Sequence, residues 1–371
     1  MRLLICTQAV DRNDPILGFF HRWIEEFAKH CTEVLVVCLF EGDHALPSNV
    51  RIFSLGKEKL SGSAQSYREK SSFMGKMVLR VSYARRFLHF IWRTRRQYDG
   101  VFVHMNPEYI ALAGPLWRVM GKRVVLWYTH KATPLLLRLA LPLVDRIFTA
   151  SPESFRLVSS KVSVTGHGID VERFMPPRKP PSGTVRLITS GRITPIKGLD
   201  VLIEAFLLLK KRNVKATFSI IGRAGSSKDR LYEETLRAQL TEAGEEPEKV
   251  FEGSLSHAQM PERRTYADYF LHASETGSLD KAVLDAVMSG VLPISSSEAY
   301  EELFMGYEAL LHCSRGDSAA LAARIISLEA LSETRREEIR KALRERVVRG
   351  HSLAGLVQRI LTEFPESKSW I

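Results

Sequence analysis

In the stretch SGRITPIKG, residues 190–198, an arginine and a lysine stand five residues apart between two glycines. The guanidinium of Arg192 can fork onto two phosphate oxygens while the ammonium of Lys197 supplies a compact charge, so the pair suits a diphosphate. An exposed loop with two solvated cations is the plainer alternative. The flanking sequence favours a ligand: VRLITS reads as a buried strand, LDVLIEAFLLLKK as an amphipathic helix, and Gly191 and Gly198 sit where the strand ends and the backbone turns. A strand-to-helix loop of this kind lies at the carboxyl edge of a parallel sheet, where such sheets bind ligands. The phosphate-loop pattern G-x-x-x-x-G-K-[ST] is absent from the chain.

The elements that must position this loop form a rhythm that runs twice. RLLIC, EVLVVCLF, GVFVHM, RVVLWYTH and RIFTAS read as buried strands, with helical stretches such as FFHRWIEEFAKH and EYIALAGPLWRVM between them. MPPRKPPSGT, residues 175–184, has four prolines and no apolar period, which marks a linker. Beyond it VRLITS, ATFSIIG, KVFEGS, YFLHAS and LPISSS read as strands, with helices expected at 199–212, 228–244 and 281–289. The expectation is α/β: two Rossmann-like doubly wound parallel-sheet domains facing an interdomain cleft, residues 1–174 and 185–350. A C-terminal helix, 351–371, is expected to pack back on the N-terminal domain, with Gly350 and His351 breaking the last helical stretch in two.

The 371 residues carry a net charge of +11, which calls for an anionic partner. Residues 68–96 hold nine Lys or Arg against one Glu, interleaved with large apolar residues at roughly helical spacing. That pattern fits a helix on anionic headgroups, and equally a helix with its apolar side in the core and its arginines in solvent. No zinc knuckle, RRM-type aromatic pair or helix-turn-helix signal accompanies the charge, so no nucleic acid is expected. Cys6, Cys31, Cys38 and Cys313 are scattered and read as buried thiols, and no metal site is expected. No apolar run is long enough to span a bilayer, and the start turns polar too soon for a signal peptide. The chain is expected in the cytoplasm, with a peripheral position on the inner face of the membrane.

GRITPIKG resembles the G-R-x-x-x-x-K-G signature of family 4 retaining glycosyltransferases, which have the GT-B fold. GHGIDVERF at 166–174 is similar to the G-[IV]-D-x-x-x-F that closes the family's N-terminal domain, and IIGRAG at 220–225 to its strand and turn. KVFEGSLSHAQMPERRTYADYFLHAS is similar to its strand, helix and A-D strand progression. LDAVMSGVLPI at 284–294 resembles its L-E-A-M-A-x-G-x-P-[IV]. These likenesses run from about 161 to 297; the N-terminal half shares only the βα rhythm.

The resemblance implies transfer of a sugar from a nucleotide diphosphate, UDP- or GDP-linked, to a hydroxyl of a glycan or lipid-linked acceptor. It also implies retention at the anomeric carbon and no divalent metal, Arg192 and Lys197 supplying the charge. The family's E-x7-E puts Asp285 at its second, ribose-binding position and Gly277 at its first, where no carboxylate stands; Glu275 and Asp280 are the nearest substitutes. Asp280 also reads as the cap of the helix KAVLDAVM, so amides near Ser278 and Leu279, with the charge of Lys281, would hold phosphates. A cap and nothing more is the alternative.

His130, ending a predicted strand, matches the family histidine beside the reacting sugar, unless it is a structural histidine. His104 ends the preceding strand in the same way. In DRNDPILGFF, Gly18 corresponds to a family glycine near the donor phosphate, with Asp14 or Asn13 as candidate helix caps. The peptide from Val250 to Ser254 is where the family contacts the base. Two other readings stay open, a further GT-B enzyme such as a sugar-nucleotide epimerase and a non-catalytic nucleotide-sugar-binding protein. An oxidoreductase is disfavoured because neither half shows G-x-G-x-x-G after its first strand.

Overall fold

The structure, a computed structural model, describes residues 1–14, 16–60, 73–174, 183–256 and 259–364. Its chain divides into two compact units, one of residues 1–168 together with the stretch from Leu353, the other Ile169–Ser352. Most of the proline-rich segment, 175–182, lies outside the described residues.

The first unit is built on seven parallel strands: β1 (Arg2–Val10), β2 (Glu33–Glu41), β3 (Val50–Ser54), β4 (Gly100–His104), β5 (Arg123–Trp127), β6 (Arg146–Thr149) and β7 (Val162–Val164). Their order is β3-β2-β1-β4-β5-β6-β7, so the direction of winding reverses between β1 and β4. Successive residues of β1 serve opposite faces. Leu3 and Ile5 join Phe20, Trp23 and Phe27 of helix Phe20–His30, and Leu356 and Ile360 of helix Leu353–Leu361, in one apolar layer. Leu4 and Cys6 join Phe87 and Ile91 of helix Phe73–Thr94 and Trp117 of helix Pro107–Val119 in the other. Burial on both faces is why these strands read as unbroken apolar runs. Two strands carry no such run: β3 alternates half-buried and exposed residues, and β7 is three residues long.

The second unit has five parallel strands: β8 (Val185–Ser190), β9 (Ala216–Ile221), β10 (Phe251–Gly253), β11 (Tyr269–His272) and β12 (Leu292–Ser295). Their order, β10-β9-β8-β11-β12, reverses between β8 and β11. Helices Leu199–Lys211, Ser227–Glu242 and Lys281–Met288 stand within two residues of their expected bounds. The expected break into two helices near the C-terminus is present but falls at Ser352. Gly350 and His351 stay inside helix Glu333–His351, and extended Ser352 ends it.

His104, expected among the chemical candidates, is a core residue. Its ring stacks on Phe20 with centroids 4.0 Å apart, and Nδ1 lies 3.4 Å from the Thr7 hydroxyl. Burial lowers its pKa to about 3, so the imidazole is neutral in the folded chain. The four cysteines are buried and unpaired.

The His104 shift predicts a pH dependence. The neutral ring is favoured in the fold and protonates freely when unfolded, so its stabilisation is complete above an unfolded pKa of about 6.5 and is lost as pH falls towards 3. Thermal unfolding followed from pH 7 to pH 4 checks this. His104→Phe, which keeps the ring stack, should flatten the acid limb.

Candidate functional site

Reversal of strand order between β8 and β11 leaves the loops after these neighbouring strands running to different parts of the unit and opens a crevice at their carboxyl ends. Arg192 and Lys197 stand on the loop after β8; His272 ends β11, and Asp280 follows eight residues later. The loop is tightly specified. Gly198 has φ +61°, and a β-carbon there would stand 2.5 Å from the Ala273 carbonyl oxygen, so only glycine fits. The Glu275 amide donates to the Ile196 carbonyl at 3.0 Å, stitching the loop to the segment after β11. At Gly191 the backbone has φ +146°, and an added β-carbon would meet the Lys197 side chain at 3.7 Å.

The two cations differ in state. Arg192 is exposed and makes no hydrogen bond or ion pair among the described residues. Lys197 is half-buried, and its ammonium bonds directly to the Asp280 carboxylate. Burial pushes the pKa of Asp280 up, but the His272 imidazole and the Lys197 ammonium outweigh it and hold the carboxyl well below the usual carboxylate range. Ser190, Gly191, Arg192, Lys197, His272 and Asp280 border a crevice of about 10 Å³, room for roughly one water.

Asp280 caps helix Lys281–Met288 as expected, its Oδ1 accepting the Ala282 amide at 3.1 Å. Its own amide donates to the Tyr300 hydroxyl at 2.7 Å and is therefore not presented to an anion. Lys281, expected to add charge towards phosphates, instead donates to both Asp285 oxygens at 2.8 and 2.9 Å. Asp285, expected to bind a ribose, is buried, with the Arg264 guanidinium 3.6 Å away on another side. Burial lowers the Arg264 pKa, and the Asp285 charge offsets part of that cost. Asp285 thus joins helices Met260–Arg264 and Lys281–Met288 and is not offered to a ligand. Ser278 and Leu279 precede the cap, with the Ser278 hydroxyl turned onto Thr276 at 3.1 Å. Gly277, at the position without a carboxylate, has φ +57°, and Glu275 is exposed.

His130 and Gly18 belong to the first unit. His130 is exposed, three residues beyond the end of β5, and its Nδ1 accepts the Ala132 amide at 2.9 Å. Gly18 closes a turn, accepting no side chain because a β-carbon would lie 2.6 Å from the Asp14 carbonyl oxygen. Asp14 does not cap helix Phe20–His30; its carboxylate takes the amides of Ile16 and Leu17 at 2.8 and 2.7 Å. Asn13 donates to Asp43 at 3.1 Å instead.

Sequence reasoning missed His272 and Tyr300. His272 carried a signal, an imidazole at the carboxyl end of the strand YFLHAS; Tyr300, twenty residues beyond Asp280, carried none. A larger cavity of about 320 Å³ lies at the amino-terminal half of β8 and β9, bordered by Arg186 and Arg263. Both arginines are already bound there, Arg186 to Asp268 and Arg263 to Glu252.

Two Rossmann-like parallel-sheet units in one chain define the GT-B class of fold. Solved structures share it over nearly the whole length. Sucrose-phosphate synthase from Thermosynechococcus elongatus superposes with a TM-score of 0.72 at 13% identity, covering 98% of each chain. HepE of Anabaena, solved in complex with UDP-glucose, gives a TM-score of 0.70 at 16% identity, again over 98% of each chain.

By sequence, residues 170–346, all within the second unit, match the family described as glycosyl transferases group 1. The putative colanic acid biosynthesis glycosyltransferase WcaL of Escherichia coli (strain K12) is 27% identical over 259 residues, 65% of this chain. The match spans 62% of the length of that relative. Both matches are to glycosyltransferases, and the solved structures share the GT-B fold.

The ion pairs of Asp285 predict its energetic role. Asp285→Ala leaves the buried Arg264 cation without its nearest counter-charge and should cost about 3 kcal/mol, read as a lowered melting temperature by calorimetry. A loss below about 1 kcal/mol would mean that the carboxylate is free for a ligand after all.

Proposed function

We propose that the protein transfers a sugar from a nucleotide diphosphate donor, UDP- or GDP-linked, to a hydroxyl of a glycan or lipid-linked acceptor, with retention at the anomeric carbon. The observation that carries this reading is the placement of Arg192 and Lys197 on the loop after β8, at the switch point of the unit that matches the family. As the bond between the sugar and the diphosphate breaks, its electron pair leaves with the diphosphate and positive charge develops on the anomeric carbon. Arg192 and Lys197 stabilise the departing oxygens electrostatically, the charge compensation that a divalent metal supplies elsewhere. The acceptor hydroxyl bonds to the anomeric carbon and gives its proton to the departing phosphate. Gly191 lets the donor approach the backbone, and the segment of Ser278 and Leu279 ahead of the Asp280 cap is assigned to its phosphates. His130 is assigned to the reacting sugar, and the Gly18 turn to the donor phosphate. Lys281 and Asp285 act from behind, by anchoring the helix that Asp280 caps.

A second reading, a protein that binds a nucleotide sugar without turnover, is favoured by one observation, the lack of a carboxylate at Gly277. One experiment separates the two. Thermal shift and donor hydrolysis are measured against UDP- and GDP-sugars without added metal. Stabilisation by one sugar nucleotide together with slow hydrolysis is expected. Arg192→Ala and Lys197→Ala should each cut turnover by about a hundredfold, the equivalent of roughly 3 kcal/mol of barrier. Stabilisation without hydrolysis or transfer to any acceptor would favour the binding protein, and no stabilisation at all would sink both.

The lipid-linked acceptor is supported by helix Phe73–Thr94; residues 68–72 of the basic stretch lie outside the described residues. One side of the helix, with Phe87, Phe90 and Ile91, is in the core. The opposite side leaves Val78, Val81 and Trp92 exposed beside Arg85, and Arg95 packs on the Trp92 ring at 4.4 Å. Apolar residues flanked by arginines suit an anionic headgroup layer. Among the described residues no helix is long and apolar enough to cross a membrane, so attachment by this face is peripheral. Cosedimentation with vesicles containing phosphatidylglycerol at low salt should be strong for wild type and several-fold weaker for a Val81→Ser, Trp92→Ser variant. Indifference of wild type to such vesicles would remove the membrane from the proposal.

A further inference from the structure

We propose that Asp280 is the resident counter-ion of Lys197, an internal anion that a diphosphate must displace, and that this displacement sets how tightly the site holds its donor. The inference rests on the reading of Arg192 and Lys197 as the diphosphate clamp.

The ammonium of Lys197 and the carboxylate of Asp280 are in direct contact and each about one-fifth exposed, with side-chain exposures of 22% and 21%. Their attraction is consequently less screened than that of a surface pair. Asp280 is fixed independently of the lysine. Its Oδ1 accepts the Ala282 amide, its amide donates to the Tyr300 hydroxyl, and that hydroxyl donates back to the Asp280 carbonyl at 3.2 Å. Lys197 in turn stands on a loop held by Gly198 and by the segment after β11. Neither partner can drift away at no cost. With the pair closed, the Lys197 ammonium is already engaged by a carboxylate, and the crevice beside it is narrow, about 10 Å³. An incoming diphosphate must draw Lys197 off Asp280 and then lie close to the carboxylate, which repels it.

A second partner waits for the displaced carboxylate. His272 Nε2 is buried, has no hydrogen-bond partner among the described residues, and lies 3.8 Å from Asp280 Oδ2, too long for a hydrogen bond. On the other side of the ring, Nδ1 is 2.9 Å from the Ser295 hydroxyl, which already accepts the Ser297 amide at 3.1 Å. In the tautomer in which the Ser295 hydroxyl donates to Nδ1, Nε2 carries the hydrogen, on the side where Asp280 Oδ2 stands. A shift of less than 1 Å by the carboxylate would complete that bond. Asp280 passes from Lys197 to His272 as Lys197 passes to the phosphates, and the exchange offsets part of the cost of breaking the pair.

Asp280→Asn tests this, because asparagine keeps an oxygen for the helix cap while removing the charge, and Asp280→Ser serves if the first variant folds poorly. Binding of inorganic pyrophosphate and of UDP is measured by titration calorimetry on the full chain, in wild type, Asp280→Asn, Lys197→Ala and the double variant, with melting temperatures recorded alongside. The neutral variant should bind pyrophosphate about tenfold more tightly or better, although its melting temperature falls because the fold loses the Lys197–Asp280 pair. On the Lys197→Ala background the gain should vanish, since no cation remains to be released. Equal or weaker binding by the neutral variant, a gain that persists without Lys197, or no pyrophosphate binding by any variant overturns the inference. Tighter pyrophosphate binding with no sugar nucleotide bound or turned over keeps the counter-ion and sinks the transferase reading. Sugar transfer by wild type with affinity unchanged in Asp280→Asn does the reverse.

Discussion

Parallel strands cannot be joined by tight turns, and every feature of this molecule's chemistry follows from that constraint. Each strand needs a crossover, crossovers of this type share one hand, and a sheet that grows in both directions from its first strand must reverse winding at one place. In the second unit that place lies between β8 and β11. The loop with Arg192 and Lys197 leaves on one side, and the segment with His272 and Asp280 on the other, so Lys197 and Asp280, 83 positions apart, meet at one carboxyl edge. The first unit has the same device between β1 and β4, with His104 at the strand end. There the position is filled by aromatic packing against Phe20 and Trp23, which leaves a neutral core histidine and no chemistry.

Charge in the second unit is arranged in two tiers. Arg264, Asp285 and Lys281 form a network in which the buried carboxylate is met by cations from two sides. Removing one member of such a network costs far more than its net contribution, because the others are left desolvated and unpaired. Closer to the crevice, Lys197 and Asp280 are paired while Arg192 remains exposed. The site is thus built with one cation held in reserve and one available, and the helix cap that orders Asp280 also determines which cation is which.

The primary structure by itself determined a good deal. Apolar runs of strand length alternating with amphipathic helical stretches specify parallel sheets, because strands covered on both faces must be apolar throughout. The glycines flanking Arg192 and Lys197 specify the loop, since a left-handed turn at Gly198 admits almost nothing else. Asp280 ahead of KAVLDAVM specifies a helix start. The edge strands of the first unit escaped notice because β3 is half exposed and β7 is only three residues long, too little for a period to register.

Only the tertiary structure decided which polar groups are spoken for. Lys281 and Asp285 are four residues apart on one helix and could each have faced a ligand, but packing against Arg264 turned the carboxylate inward and drew the ammonium after it. His104 and His272 both end strands, yet one is stacked among aromatic rings and the other faces a carboxylate. Local sequence carries backbone preference and periodicity, which act over a few residues. Charge pairing and desolvation act through space between segments far apart in the chain, and they decided that Asp280 would meet Lys197.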